Sequence, residues 1–200
     1  QDLLRTIEVE RVGFIFLPPT VIYMLLAQPN VRDFDFSSLR YMMYGAAPMS
    51  PDKLAEAIEV FGPVMIQIYG QAEVPGAISA LTVDEHFIDG KIAPRDRLLS
   101  AGRRFPFVRA EIMDENGNIL SGARQTGEIV AQGDIVTPGY YKNPEATAEV
   151  RKNGWHCTGD IGYFDEDGFL YIVDRKKDMS VTGGFNVFSS EVEAAIMAHP

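Results

Sequence analysis

The sequence predicts an α/β protein: a parallel strand–helix subdomain, then an antiparallel β-barrel-like subdomain, then the start of a small α+β domain. Three observations carry this prediction. Between residues 11 and 69, short apolar runs alternate with helical patterns, and strand–helix–strand alternation implies parallel strands joined by right-handed crossovers. After about Leu98 the texture changes to alternating runs separated by Asp-, Asn- and Gly-rich turns, which marks antiparallel structure. From Asp174 a basic segment leads to a helix start that has no matching end before Pro200. The expected parts are residues 1–100, an α/β part; 101–174, an antiparallel β part; and 175–200, the beginning of a further small domain.

The elements follow in order. Arg11 to Leu17 is a short apolar run, suited to a strand buried on both faces. Pro18 and Pro19 stop it, and Thr20 is the expected cap of a helix over Val21 to Ala27. Leu39 to Tyr44 is a second strand. Ser50-Pro51 opens a helix, with serine as cap and proline at the first helical position. Leu54, Ile58 and Phe61 give that helix one apolar face, and Gly62-Pro63 ends it. Val64 to Tyr69 is a third strand. Ligands gather beyond the carboxyl ends of parallel strands. Pro18-Pro19, Gly45-Ala46-Ala47-Pro48 and Gly70-Gln71-Ala72-Glu73 are therefore either site loops or plain connections.

In the β part, Val108 to Met113 alternates and Asp114 to Asn118 is a hairpin turn. Gly127 to Ala131 is a further strand, and Asp165 to Gly168 turns into Phe169 to Val173. The Asp-rich turns lack the spacing and the terminal bidentate glutamate of a calcium loop. Ser190-Glu-Val-Glu193 is a capping box that opens the last helix.

Of the 200 residues, 46% are hydrophobic, enough for a substantial core. No apolar run reaches the ~18 residues of a membrane span, and no basic-then-apolar leader is visible at the start. Cys157 is the only cysteine, so no internal disulfide is possible and a cytoplasmic location is expected. The net charge of −10 speaks against nucleic-acid binding, which needs a basic footprint. It also requires that any bound phosphate be met by a metal ion, by backbone N–H groups or by basic residues from elsewhere. His86, His156 and His199 show no metal-ligand spacing, and Cys157 has no partner; none of them receives a role.

The most informative stretch is Trp155-His-Cys-Thr-Gly-Asp160, followed by Asp174-Arg-Lys-Lys-Asp178 and Gly183-Gly184-Phe185-Asn186-Val187. An aspartate presented by a Gly turn accepts hydrogen bonds from vicinal hydroxyls such as those of ribose. An arginine after a buried strand holds the same sugar or a phosphate. A glycine pair lets a backbone come close to a ligand. Each piece alone also reads as a hairpin with charged ends.

Together with Gly45-Ala-Ala-Pro48, Tyr69-Gly-Gln-Ala-Glu73 and Glu191-Val-Glu193, these segments, in this order, resemble the adenylate-forming (AMP-binding) superfamily. That superfamily includes acyl- and aryl-CoA synthetases, luciferases and peptide-synthetase adenylation domains. Gly139-Tyr140-Tyr141 with Pro144-Glu-Ala-Thr147 supports the match. The resemblance implies a two-step reaction, in which a carboxylic acid is activated by ATP as acyl-AMP and then passed to CoA. It implies that Tyr69 stacks on adenine, with Gly45, Ala46, Ala47, Pro48, Gly70 and Ala72 lining the nucleotide pocket. Glu73 would help hold Mg²⁺, Asp160 would bind both ribose hydroxyls, and Arg175 would reach the same ribose. Lys177 would be the hinge of the mobile domain, and Gly183 and Gly184 would line the CoA path.

Three positions depart from the superfamily pattern. Ala72 stands where threonine is usual, removing a donor worth about 1.5–3 kcal/mol to a charged group. Ser180 replaces an aliphatic residue and Ser189 a proline. The phosphate loop and the adenylation lysine of the superfamily are expected before residue 1 and after Pro200, so these residues alone are expected to be inactive. The expected function is part of an ATP-dependent acid–CoA ligase of the fatty-acyl or aryl type. The alternatives are an adenylation domain that loads a carrier protein, and a non-catalytic nucleotide-binding or interaction module of the same fold. The acid itself is not legible; Pro19, Tyr44 and Val74 are positioned to line its pocket.

Overall fold

The computed structural model describes residues 2–178 and the backbone of residues 180–182 and 185–187. The chain divides into two compact units, Gln1–Gly70 with Ser79–Gly102, and Gln71–Ile78 with Arg103–Pro200. No helix among the described residues is long and apolar enough to cross a membrane.

The first unit opens with helix α1 (Asp2–Val9), which buries Leu4 and Ile7. Strand β1 (Phe14–Leu17), helix α2 (Pro19–Leu26), strand β2 (Tyr41–Tyr44), helix α3 (Pro51–Phe61) and strand β3 (Met65–Gln71) follow. β1 pairs β2 in parallel, with Leu17 opposite Tyr44, and β2 pairs β3 in parallel, with Tyr44 opposite Gln67. Strand β4 (Val74–Leu81), whose residues up to Ile78 belong to the second unit, is followed by the short strands β5 (Phe87–Ile88) and β6 (Lys91–Ile92) and helix α4 (Arg95–Leu99) of the first. The core gathers Ile22, Met42, Leu54, Ala57, Phe61 and their neighbours. Phe36 meets Phe61 edge-on at 4.9 Å between ring centroids.

The helix starts differ from expectation in instructive ways. Pro18 is the N-cap of α2 and Pro19 its first residue, so Thr20 lies inside the first turn and is not the cap. The fixed proline φ suits the first helical position, where no N–H is needed. Ser50 is the N-cap of α3 but makes no side-chain capping bond; its N–H donates to Tyr23 Oη at 2.7 Å. Strand β1 is not buried on both faces within this unit. Leu17 is buried, whereas Phe14 is 56% and Phe16 45% exposed. β3 continues through Tyr69 and Gly70 to Gln71, so the loop expected over 70–73 shrinks to Ala72-Glu73.

The second unit begins, after β3 and β4, with β7 (Arg103–Arg104), β8 (Arg109–Met113), β9 (Ile119–Leu120) and β10 (Gly127–Gln132). Helix α5 (Pro144–Glu149), β11 (Arg151–Lys152), β12 (Trp155–Phe164) and β13 (Leu170–Arg175) follow. The antiparallel order is β11-β12-β10-β8-β9, with β13 also on β12. Among the described residues this sheet is curled but open. Its curl is made by bulges, which twist a strand where one residue faces two or more. Glu128 pairs with Ile161 and Val130 with Cys157; residues 158–160 therefore face Ile129 alone. Asp160 lies on this bulge inside a ten-residue strand, not on a hairpin turn. Met113, Val130 and Trp155 form a small core, and Arg104 stacks over Phe164 at 3.7 Å. Strands β14 (Ser180–Thr182) and β15 (Phe185–Val187) pair antiparallel. Gly183, Gly184, Ser189 and the helix expected from Ser190 lie outside the described residues.

Candidate functional site

In the first unit the loop after β2 lies beside the end of β3. The Tyr44–Gln67 register places Gly45 against Ile68. A Cβ at Gly45 would stand 2.5 Å from the Ile68 carbonyl oxygen, so no other residue fits without parting the strands. Ala46 has φ 65°, a left-handed backbone that an alanine adopts only under strain. Ala46, Ala47 and Pro48 are exposed and Tyr69 is half-buried.

Beneath this loop, Tyr44 is fully buried. His86 Nδ1 donates to the Thr82 carbonyl at 2.7 Å, which leaves Nε2 to accept from the Tyr44 hydroxyl at 3.1 Å. Burial pushes the Tyr44 phenol up and the His86 imidazole down from their ordinary values, so both are neutral at physiological pH. Tyr44 and Val74 are each 0% exposed and Pro19 is buried. None of the three presents a side chain to solvent.

In the second unit the turn between β3 and β4 is tied down by three contacts. Gln71 Nε2 donates to His156 Nε2 at 2.9 Å. The Glu73 carbonyl accepts from the Thr137 N–H at 2.7 Å, and Glu73 Oε1 accepts from the Tyr140 hydroxyl at 2.7 Å. Tyr140 is itself held in place. Its N–H donates to Thr147 Oγ1 at 2.9 Å, and Asn143 Oδ1 caps α5 by accepting from the Ala146 N–H at 3.0 Å. The Arg151 guanidinium donates to the Thr137 carbonyl. The bond to Glu73 raises the Tyr140 phenol above its ordinary value. His156 carries its proton on Nδ1, which is buried and has no hydrogen-bond partner among the described residues. Burial, and then the Arg151 charge, push that imidazole down.

Asp160 and Arg175 are opposite one another in the β12–β13 register, with Arg175 Nε 3.6 Å from Asp160 Oδ1. The Asp160 side chain is 16% exposed and that of Arg175 63%. Lys176 Nζ donates to Glu128 Oε2 at 2.8 Å, and this bond raises the ammonium above its ordinary value. Lys177 is exposed in the turn after Arg175, which closes through the Asp178 N–H on the Arg175 carbonyl at 3.0 Å.

Ala72 is exposed. No group of three or more His, Cys, Asp or Glu side chains among the described residues is placed to hold a metal ion. A single carboxylate such as Glu73 suits Mg²⁺, which keeps most of its water and phosphate ligands and needs one or two protein oxygens.

Sequence reasoning missed the Gln71–His156 pair and the anchoring role of Glu128. It used Tyr140 only as a supporting match. Glu128 had a legible signal, a lone acid in an otherwise apolar strand. The Gln71–His156 contact joins residues 85 positions apart, and nothing local announces it.

The AMP-binding enzyme family matches residues 1–141. A medium/long-chain-fatty-acid–CoA ligase of Mycobacterium tuberculosis (strain ATCC 25618 / H37Rv) is 44% identical over 199 residues, covering 100% of this chain and 34% of that protein. The structure of the amide bond synthetase McbA from Marinactinospora thermotolerans is similar with a TM-score of 0.89 at 40% identity, covering 100% of this chain and 39% of that one. That of O-succinylbenzoate CoA synthetase from Bacillus subtilis, in complex with ATP and magnesium ion, has a TM-score of 0.83 at 30% identity, again covering 100% and 39%. The chain thus spans about a third of the length of the curated relatives it matches.

Proposed function

Because this chain belongs to the AMP-binding enzyme family, we propose that it forms part of an ATP-dependent acid–CoA ligase. The observation that carries the reading is the run of likeness over 199 residues, at 44% identity, to a fatty-acid–CoA ligase. It extends past the family match at residue 141 to take in Asp160 and Arg175.

In the proposed reaction a carboxylate oxygen of the acid bonds to the α-phosphorus of ATP. The bond from that phosphorus to the β-phosphate oxygen breaks, and pyrophosphate leaves. The CoA sulfur then bonds to the acyl carbon, its proton passes to solvent, and AMP departs with the bonding pair. AMP is a good leaving group because its phosphate stabilises the charge.

The proposed roles follow the resemblance. Tyr69 offers an aromatic face to adenine, beside the strained loop Gly45-Ala46-Ala47-Pro48 and next to Gly70. Asp160 accepts from both ribose hydroxyls, and Arg175 flanks it at 3.6 Å. Glu73 holds Mg²⁺, which when bound neutralises charge on the ATP phosphates. Tyr140 and Thr137 fix the Glu73 side chain and backbone. Ala72 supplies no hydroxyl to the phosphate. Lys177 is the proposed hinge, and Gly183 and Gly184 the proposed CoA path. The three-part division at residues 100 and 174 and a cytoplasmic location belong to the same reading.

The test is pyrophosphate release by the intact protein across a panel of fatty and aromatic acids, with Glu73→Ala as control. Release above the control is expected. ATP binding without release for any acid would favour a non-catalytic module. A second reading, with an amine as acceptor beside CoA, is supported by the 40% identity to an amide bond synthetase over the whole chain. Mass analysis of products formed with CoA, with a carrier protein's pantetheine and with a simple amine separates the three acceptors.

A further inference from the structure

Glu128 is the only charged residue of β10, and its side chain is 12% exposed. Both of its oxygens are engaged. Oε1 accepts from the Gly159 N–H at 3.1 Å, and Oε2 accepts from Lys176 Nζ at 2.8 Å. The Gly159 carbonyl in turn accepts from the Lys176 N–H at 2.8 Å. One carboxylate on a central strand thus holds both the bulge that carries Asp160 and the side chain of Lys176, next to Arg175.

On its β10 side the bulge departs from the regular ladder, while on the other side Asp160 pairs with Arg175 of β13. Residues 158–160 face Ile129 alone, so the regular ladder is interrupted there. Gly159 sits at φ 75°, a left-handed backbone that glycine reaches without strain. Thr158 Oγ1 donates to the Ile129 carbonyl at 2.7 Å and accepts from the Asp160 N–H at 3.1 Å. The Gly159 N–H lies between these two bonds and has Glu128 as its acceptor. A charged acceptor makes a stronger bond than a neutral one, and a mostly buried carboxylate is itself stable only when its oxygens are partnered. Bulge and carboxylate therefore hold each other in place.

We propose that Glu128 is a positioning residue: by anchoring the Thr158–Asp160 bulge through the Gly159 N–H, it holds the Asp160 carboxylate in the geometry that receives both ribose hydroxyls. The inference rests on the reading of Asp160 as the ribose ligand. Glu128 does not touch nucleotide. Its effect reaches the ligand through about two residues of backbone, and so falls on recognition of the ribose hydroxyls alone.

The experiment titrates the intact protein with AMP and with 2′,3′-dideoxy-AMP by calorimetry. The wild type is expected to prefer AMP. Glu128→Met, similar in volume but without acceptors, is expected to weaken AMP by about tenfold or more, the worth of one hydrogen bond to a charged group, and to leave dideoxy-AMP unchanged. Glu128→Gln keeps an oxygen for Gly159 and is expected to regain most of the AMP affinity. If the Met variant does not fold, Glu128→Asp, one methylene shorter, is expected to lose the preference in the same way. Equal weakening of both nucleotides, or no change for AMP, overturns the proposal. So does a Gln variant as weak as Met. A wild type with no preference for AMP over dideoxy-AMP overturns the ribose reading of Asp160 itself, and this proposal with it.

Discussion

Glu73 is held from two directions, its carbonyl by the Thr137 N–H and its carboxylate by the Tyr140 hydroxyl. One carboxylate oxygen is thereby fixed, and in the proposed function the other would reach Mg²⁺. Tyr140→Phe removes that hydroxyl from a side chain that is 38% exposed. We expect the Mg²⁺ concentration for half-maximal pyrophosphate release to rise about three- to tenfold, less than a buried bond to a charged group is worth, because solvent competes here. An unchanged Mg²⁺ curve removes Tyr140 from the site. His86 and His156 make a second prediction. Burial is the first cause that lowers both, so the unfolded chain binds these protons more readily, at about the ordinary histidine value of 6.5. The associated stability is complete above that value and is lost as pH falls below it towards the folded-state values. The urea midpoint should fall between pH ~7.5 and ~5.5, before most carboxylates titrate. His156→Gln should fall less; an identical fall in the variant would assign the loss to other groups. The identities of Tyr69, Glu73, Asp160 and Arg175 as candidates were legible because each sits in a short ordered motif. Tyr140 on Glu73 and Gln71 on His156 were not, because their partners lie 67 and 85 positions away.

At the scale of elements, the junction of β2 and β3 is the tightest point of the candidate loops. Gly45→Ala would force a methyl group to within 2.5 Å of the Ile68 carbonyl oxygen. The strands must separate, and we expect a loss of about 1–3 kcal/mol in denaturant unfolding, the range for overpacking with backbone shifts. A loss under about 0.5 kcal/mol, the size of an ordinary surface substitution, would show that the pair opens freely. Strands β1, β2, β3, β8, β10 and β13, helix α3 and the Asp114 and Asp165 turns are legible from period, proline and glycine, whereas β4 and the long β12 are not. Helices α1, α4 and α5 were not: they are eight, five and six residues long, and α5 buries nothing, so their apolar patterns are too short to read. Pro18 and Pro19 take the place of the expected Thr20 cap, because they satisfy the same helix start by fixing the backbone. Asp160 was placed on a turn because Thr-Gly-Asp is turn chemistry; pairing with both β10 and β13 draws those residues into a long strand as a bulge.

At the scale of the molecule, the net charge is −10 and the pI about 4.7. Self-repulsion on this scale weakens the compact state and is screened by salt. The thermal midpoint should therefore rise as ionic strength goes from about 0.01 M to about 0.15 M, where the Debye length falls from roughly 30 Å to 8 Å. A fall would mean that ion pairs such as Arg124–Glu166 and Lys176–Glu128 outweigh the repulsion. By itself the sequence determined the fold class, the strands and helices with strong local patterns and the residue types of the candidate chemistry, because periodicity, turn residues and short motifs are local properties of a chain. Only the tertiary structure decided that Gln71–Ile78 joins the second unit, that one face of β1 is open, that Tyr44 is a buried neutral phenol, and that Glu128 anchors the bulge beneath Asp160. Each of these depends on which distant strand or side chain fills the neighbouring space. Long-range pairing and close packing set that, and no window of sequence contains it.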